Sequence, residues 1–309
     1  MTVLEAIQKS TEFLAQKGVE SPRLQTELLL AHLLKLPRMK LYLNFERTLA
    51  PVEVDGLREF IKRRGRREPL QHITGSTSFC GLEIAVSRQA LVPRPETELL
   101  AESGWNFLST FNPQPSTALD FGTGTGCIAI ALAVKCPSAK VVATDVSPDA
   151  LALARENAVR HNAAERIEFL QSDGFAALQN ESEGGAPRRP DSPKEEWGSR
   201  SPPLRKMEFD LIVSNPPYIP SAEIAMLQPE VRDFDPRTAL DGGADGLDFY
   251  RKLAVESKPL LKLDGKIMLE FGDGQAAAIR KIFEAEKWIV EAVKEDYSQH
   301  ERILIARRN

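Results

Sequence analysis

The stretch "LDFGTGTGCIAIALA", Leu119–Ala133, decides how this chain is read. Leu119–Phe121 close an apolar strand pattern, three glycines follow at alternate positions, and Cys127–Ala133 run on as small and apolar residues without a break. Glycine reaches backbone conformations closed to other residues, so the chain can turn sharply at Gly122, Gly124 and Gly126 and leave its amides open to a ligand. The run after the turn predicts a helix over Cys127–Lys135. The N-terminus of such a helix, with its unpaired N–H groups and positive dipole end, favours negative charge. The dinucleotide fingerprint GxGxxG needs its third glycine at position 127, where this chain has Cys127; the spacing here is GxGxG.

Apolar runs and helical patterns alternate on both sides of this stretch. "TALDF" (117–121), "KVVATD" (140–145), "RIEFLQSD" (166–173), "FDLIVSN" (209–215) and "KIMLEFG" (266–272) are the expected strands. Helical spacing covers Cys127–Lys135, Pro148–Asn162, Leu247–Leu261 and Gln275–Glu286. Alternation of this kind predicts an α/β fold with a doubly wound, mainly parallel sheet. The first ~75 residues differ, because their apolar positions recur at helical spacing only. Leu4, Ile7, Phe13 and Leu14 are expected on one face, and "RLQTELLLAHLLKL" and "VDGLREFIKRR" repeat the period between Pro22, Pro37 and Pro51. "TSFCGLEIAVSRQALV", Thr77–Val92, has strand-type content around Gly81 and reads as a hairpin. The expected organisation is a helical domain over 1–76, a hairpin linker over 77–92 and the α/β domain over 93–309. Glu181–Lys206 holds five prolines, mixed charge and few apolar residues, which predicts a surface loop.

Composition narrows the function classes. With 42% hydrophobic and 27% charged residues, the chain is ordinary for a globular protein of 309 residues. No apolar run reaches the roughly 18 residues of a membrane helix. The start, "MTVLEAIQKSTEFLAQKG", carries acidic residues and amphipathic spacing, unlike a secretory signal or an Arg-rich transit peptide, so a cytoplasmic home is expected. Three scattered cysteines and four separated histidines predict a reducing compartment and no metal site. A net charge of -4 gives no general case for nucleic acid. Residues 1–90, however, carry 14 Lys/Arg against 10 Asp/Glu, and "IKRRGRR" (Ile61–Arg67) supplies much of the excess. That segment reads either as a solvated helix end or as a docking patch for an acidic or RNA-rich partner.

The GxGxG loop resembles the S-adenosylmethionine loop of class I methyltransferases. Asp145, 23 residues after Gly122, ends the next strand, where a carboxylate can accept both ribose hydroxyls of an adenosine ligand. Ser147 is the better N-cap for the helix starting at Pro148. Asp173 ends the third strand on the same edge, facing the place of an adenine amino group. On that edge "FDLIVSNPPYIP" (Phe209–Pro220) stops in Asn215-Pro216-Pro217-Tyr218, and the two prolines leave bare carbonyls where a ladder would continue. The Asn215 side-chain oxygen and the Pro216 carbonyl can each accept one N–H of a planar NH2 group. Those bonds hold the nitrogen in line with a methyl donor and favour its change toward tetrahedral geometry, where positive charge develops. Tyr218 can pack on the flat face of the group. No side-chain base is needed, because the nitrogen becomes strongly acidic only as the methyl arrives. Adenine N6, cytosine N4, guanine N2 and a glutamine side chain all fit such a clamp.

One resemblance selects among them. "PLQHITG" (69–75), "LVPRPETELL" (91–100), "DFGTGTGCIAIALA", "TDVSPDALALARENA", "SNPPYIP", "ALDGGADGLDFYRKL" (239–253) and "LEFGDGQ" (269–275) follow one another as in the peptide chain release factor glutamine methyltransferases, the HemK/PrmC family, which the chain resembles almost end to end. The resemblance implies methylation of the side-chain nitrogen, N5, of the glutamine in the Gly-Gly-Gln loop of release factors, with S-adenosylmethionine as cofactor. It implies a Rossmann-like seven-stranded class I sheet behind a small helical domain that grips the release factor. Gly122, Thr123, Gly124, Thr125, Gly126, Asp145, Asp173, Gly174 and Asn215 would then hold the cofactor. Asn215, Pro216, Pro217 and Tyr218 would form the glutamine pocket, with Asn215, Pro216 and Tyr218 acting in catalysis. A monomer with no stable nucleic-acid or membrane contact is expected; the rival is a nucleic-acid methyltransferase acting on adenine N6 or guanine N2. Gly174 departs from the family, where many members carry an aromatic residue, and Phe175 is a candidate to take that place. "PRPETE" (93–98) is expected either to close over the cofactor, with Thr97 or Glu98 reaching polar groups, or to serve as a structural interdomain turn.

Overall fold

Prolines and caps set where the first helices begin. The computed structural model describes residues 1–111, 114–179 and 207–309; the surface loop expected at 181–206 lies outside them. Helix α1 (Val3–Gln16) starts at a capping box, in which Thr2 Oγ1 accepts from the Glu5 amide and Glu5 Oε2 accepts from the Thr2 amide. Helices α2 (Pro22–Leu34) and α4 (Pro51–Gly65) place proline at their first position, where a missing N–H leaves nothing unpaired. The short α3 (Arg38–Tyr42) and α5 (Leu70–Thr74) complete the unit around Leu14, Leu29, Leu30, Leu41 and Leu57. The expected inward face of α1 is half right. Ile7 and Leu14 are buried with Val3 and Ala6, but Leu4 and Phe13 are 36% and 39% exposed. Each stands one residue, about 100° of helix, away from a buried neighbour and so cannot share its face.

A hairpin follows. Strands β1 (Ser76–Phe79) and β2 (Leu82–Ala85) pair antiparallel across Cys80 and Gly81, both at positive φ, as a two-residue turn between right-twisted strands demands. The sheet proper has seven strands: β3 (Thr117–Phe121), β4 (Lys140–Asp145), β5 (Ile167–Gln171), β6 (Phe209–Ser214), β7 (Leu261–Glu270), β8 (Trp288–Glu295) and β9 (Glu301–Arg308). Their order is β5-β4-β3-β6-β7-β9-β8, and only the pairings made by β9 are antiparallel. Helices α6 (Thr97–Leu108), α7 (Cys127–Lys135) and α8 (Pro148–Arg160) cover one face, together with Phe79 and Ile84 of the hairpin. The short α9 (Ala176–Gln179), then α11 (Asp248–Glu256) and α12 (Ala276–Ala285), cover the other; α10 (Pro229–Arg232) lies in the long connection after β6.

Strands β8 and β9 were not among the five expected from the sequence pattern, and neither was helix α6. "WIVEAVKE" forms an edge strand with one fully buried residue, so its pattern carries no clean alternation. The segment β7 also begins at Leu261, ahead of the expected Lys266, with a register shift opposite Phe209–Leu211.

Much of the basic segment is paired within the chain. Arg63 forks onto Glu68 at 2.9 and 2.7 Å. Arg64, buried, donates to Glu230 at 2.7 Å and Gln25 at 2.5 Å, and Arg67 grips both Glu230 oxygens at 2.6 and 2.7 Å. Three arginines of "KRRGRR" thus meet two carboxylates, and Arg64 and Arg67 share Glu230 on α10, which fixes the helical unit to the connection beyond β6. Lys62 and Arg66 remain exposed.

Candidate active site

The strand order reverses at β3, between β4 and β6, and ligands of open α/β sheets bind where the carboxyl ends of strands part at such a switch. Phe121 is in register with Thr144 and with Ser214, so the chain leaves three adjacent strands at one level. From β3 it enters the glycine loop. Gly122, Gly124 and Gly126 all have positive φ, and a Cβ at Gly126 would stand 3.0 Å from the Ala154 Cβ, so α8 packs against bare backbone. The Gly122 and Thr123 amides donate to the Thr144 carbonyl at 2.9 Å each, and the Gly124 amide donates to Asp145 Oδ2 at 2.8 Å. Beneath the loop, buried Asp120 accepts from the Thr123 hydroxyl at 2.6 Å and the Ala129 amide at 3.1 Å; burial still pushes its carboxyl up to about 7.

Asp145 also accepts from the Ser147 amide at 2.9 Å, while Ser147 caps α8 by accepting from the Ala150 amide, as expected. Asp145 therefore ties the loop to the next strand end and still presents carboxylate lone pairs to the cavity.

A cavity of about 520 Å³ opens over these strand ends. It is lined by Gly122, Thr123, Gly124, Thr125, Asp145, Asp173, Gly174, Asn215, Pro216 and Pro217. Two expected site residues stand outside the lining. Gly126 is under α8, and the Tyr218 ring lies against Gly272, where a Cβ would come within 3.0 Å of it. Burial pushes the Tyr218 hydroxyl up to about 12. Nothing but Ala90, at 3.9 Å, lies near a Cβ built on Gly122 or Gly124, so the two glycines leave a cradle that side chains would fill. A larger cavity, about 680 Å³, opens at the opposite edge among Thr117, Lys140 and Ile167, the first residues of β3, β4 and β5, away from the loop amides.

At the end of β6, Ser214 donates its hydroxyl to the Phe121 carbonyl at 2.7 Å and Asn215 Nδ2 donates to Thr97 Oγ1 at 3.1 Å. Among the described residues no hydrogen bond reaches the Pro216 carbonyl. The turn is braced from behind: Gln275 donates to the Tyr218 carbonyl at 2.9 Å, and a Cβ at Gly242 would fall 2.8 Å from the Pro217 carbonyl oxygen. "PRPETE" divides its polar groups. Arg94 donates to Asp235 at 2.6 Å, Thr97 receives Asn215, and Glu98 accepts from the Cys80 amide in the hairpin turn at 2.9 Å. Thr97 thus reaches the site and Glu98 does not.

Two placements correct the reading of the third strand end. Phe175 is buried and stacked on Phe121 with centroids 4.7 Å apart, so it does not take the aromatic place in the cavity. Gly174 sits at φ +65°, a conformation that favours glycine, with the flexible end of Lys252 beside it. Asp173 has a side chain 90% exposed and lies 3.6 Å from the same Lys252 ammonium. Sequence reasoning missed Phe249, which also lines the cavity, as does Arg94 of the "PRPETE" segment expected there. Phe249 adjoins buried Tyr250 on α11 and is half-buried, packing against the core as well as lining the cavity.

Comparison with known proteins agrees with this geometry. Residues 5–75 match the PrmC N-terminal domain, and residues 102–183 match the methyltransferase small domain. The release factor glutamine methyltransferase of Geobacter sulfurreducens is 42% identical over 91% of this chain and 88% of its own. That of Moorella thermoacetica is 37% identical over 100% of this chain and 99% of its own. Among solved structures, the hMettl16 catalytic domain in complex with the MAT2A 3'UTR hairpin 6 aligns with a TM-score of 0.50 over 74% of this chain and 76% of that chain, at 16% identity, a likeness of fold alone. The fold is the seven-stranded class I methyltransferase fold with a helical unit in front, as expected. The resemblance read from the motifs is borne out: this chain belongs to the release factor glutamine methyltransferase family.

Proposed function

We propose that the chain methylates the side-chain nitrogen, N5, of the Gly-Gly-Gln glutamine of peptide chain release factors, using S-adenosylmethionine. The observation that carries this reading is the tether of Asn215. Its Nδ2 is committed to Thr97, which leaves Oδ1 to the cavity beside the unpaired Pro216 carbonyl. Two acceptors at the end of one strand match the two N–H groups of a primary amide. The amide nitrogen is a poor nucleophile while its lone pair is delocalised. Acceptors aimed at both N–H bonds favour the tetrahedral, positively charged nitrogen of the transition state.

The cofactor, when bound, supplies an electrophilic methyl group. The cradle at Gly122 and Gly124 suits its close approach to the backbone, Asp145 suits its ribose hydroxyls, and Asp173 with Gly174 flanks the place of its adenine. Asn215 and Pro216 hold the acceptor amide in line with the methyl, and Pro217 bounds the pocket. Tyr218, standing behind the lining, supports the turn and completes the glutamine pocket. The helical unit over 1–76, the hairpin over 77–92 and the domain over 93–309 divide the work, the first docking the release factor.

Internal pairing of Arg63, Arg64 and Arg67 weighs against a nucleic-acid substrate, because the cations that would meet phosphates are already met by carboxylates. The chain acts as a monomer in the cytoplasm; among the described residues no helix is long and apolar enough to cross a membrane.

Peptide mass spectrometry with labelled S-adenosylmethionine tests the substrate. Offered a bacterial release factor, its Gly-Gly-Ala variant, duplex DNA and ribosomal RNA, the enzyme should place one methyl on the Gly-Gly-Gln glutamine only. Label in nucleic acid, with none in the release factor, would overturn the assignment.

A further inference from the structure

Glu270 is buried, titratable and unused by the chemistry above. It ends β7 beside β6, and Ser214 is in register with Leu269, so Asn215 and Glu270 leave neighbouring strands at the same level. Its side chain belongs to a residue 2% exposed, and its Oε2 has no hydrogen-bond partner among the described residues. Its backbone is fixed by the Tyr250 hydroxyl, which donates to the Glu270 carbonyl at 2.8 Å. The polar side chains around it are Thr97 and Asn215, and the charged groups facing it are Arg302 of β9 and Glu96 ahead of α6.

The clamp works only with Asn215 in one of two orientations. Rotating its amide by 180° exchanges oxygen and nitrogen at almost no steric cost, yet it would present donors to a group that is itself a donor. Thr97 Oγ1, buried, receives Asn215 Nδ2 at 3.1 Å and has one proton of its own to give. An ionised carboxylate is an acceptor only, and Glu270, buried at the end of the strand beside that of Asn215, has an Oε2 with no partner to receive. We propose that Glu270 is a positioning residue for Asn215: its carboxylate takes the Thr97 hydroxyl proton as a hydrogen bond, so that Thr97 accepts from Asn215 Nδ2 and Oδ1 faces the substrate. A rotated amide would set Oδ1 against the carboxylate, and that repulsion keeps the productive orientation. Burial lifts the Glu270 carboxyl to about 7 against the pull of Thr97, Arg302 and Asn215, so the group is ionised above neutrality.

This inference rests on the clamp reading of Asn215, and a double-mutant cycle separates the two. Glu270→Gln and Thr97→Val are made singly and in an Asn215→Ala background. For each, kcat and KM with the release factor, the Kd for S-adenosylhomocysteine and the melting temperature are measured. Each single change should lower kcat about 10- to 100-fold, the range seen when an outer partner orients a working side chain, with KM and Kd unchanged. In the Asn215→Ala background neither should lower kcat further. Thr97→Val, which removes one hydroxyl, carries the test if Glu270→Gln fails to fold. Single variants with full kcat, or losses that add to that of Asn215→Ala, would overturn the positioning role and leave the clamp standing. Full kcat in Asn215→Ala itself would overturn the clamp, and the positioning role with it.

Discussion

The glycine loop and the Asn-Pro-Pro-Tyr turn leave adjacent strands of one sheet, yet they are held in opposite ways. Most polar ties of the loop lie between Asp120 and Asp145, where Thr144 and Asp145 receive its amides and Asp120 its threonine hydroxyl, and one comes from α8, Asn157 Nδ2 donating to the Thr125 carbonyl at 3.0 Å. The turn is fastened from a distance. Thr97 reaches Asn215 across 118 residues, Gln275 reaches Tyr218 across 57, and Gly242 packs behind Pro217. A cradle that must only admit a ligand can be made by backbone that carries its own support. A clamp that must present two acceptors in one direction needs groups from several elements, which only the finished fold assembles. Each region also stands beside one buried carboxyl pushed up to about 7, Asp120 for the loop and Glu270 for the turn.

If the division is right, the two regions fail differently. Asn215→Ala should give the largest effect, lowering kcat by about 10²–10³, the cost of removing one preorganised group aimed at developing charge. Its Kd for S-adenosylhomocysteine, read by calorimetry, should hold. Parallel loss of both would erase the distinction. Asp145→Ala should do the reverse, weakening that Kd by about 1.5–3 kcal/mol for hydrogen bonds to a charged group, with kcat at saturating cofactor little changed. Gly242→Ala crowds the back of the turn and should cost about 1–3 kcal/mol of stability, as overpacking does. It should also lower kcat while leaving cofactor affinity alone; a shift in Kd instead would mean the turn and the loop are mechanically one unit.

The last effect is a pH dependence. Burial raises the Asp120 and Glu270 carboxyls from ordinary values of 3.8 and 4.5 to about 7 each. Both therefore favour the folded state when protonated. Their contribution is complete below the ordinary values and is lost as the pH rises toward about 7. Urea unfolding of Asp120→Asn and Glu270→Gln should show a flatter stability profile than the parent across that window. An unchanged slope in either variant would mean that carboxyl titrates as if exposed.

What the sequence disclosed follows the same division. The loop, Asp145, the Ser147 cap and α7 were legible because their determinants are contiguous and their periodicities clean. The Asn-Pro-Pro-Tyr turn was legible as a motif, and Thr97 as one of two candidates to reach polar groups, but Gly242 and Glu270 were not, since nothing local marks them as neighbours of the turn. Charge was the least informative signal. "KRRGRR" read either as a solvated helix end or as a patch for a partner, and three of its arginines are paired within the chain with Glu68 and with Glu230, the latter more than 160 residues away. Phe175 went astray for a backbone reason: the positive φ of Gly174 turns the chain so that the next side chain enters the core against Phe121. Strand β8 was missed because partial burial blurs the alternation that identifies a strand, and β9 because Ile303–Ala306 are all buried and show no alternation, although the family resemblance had supplied their number.

The most direct measurement is a crystal structure of the enzyme with S-adenosylhomocysteine and a Gly-Gly-Gln release-factor domain. The glutamine side-chain nitrogen should lie about 2.7–3.2 Å from both Asn215 Oδ1 and the Pro216 carbonyl oxygen, with Asn215 Nδ2 still on Thr97. A glutamine amide held elsewhere, or an Asn215 turned to offer its own NH2 to the substrate, would contradict the account.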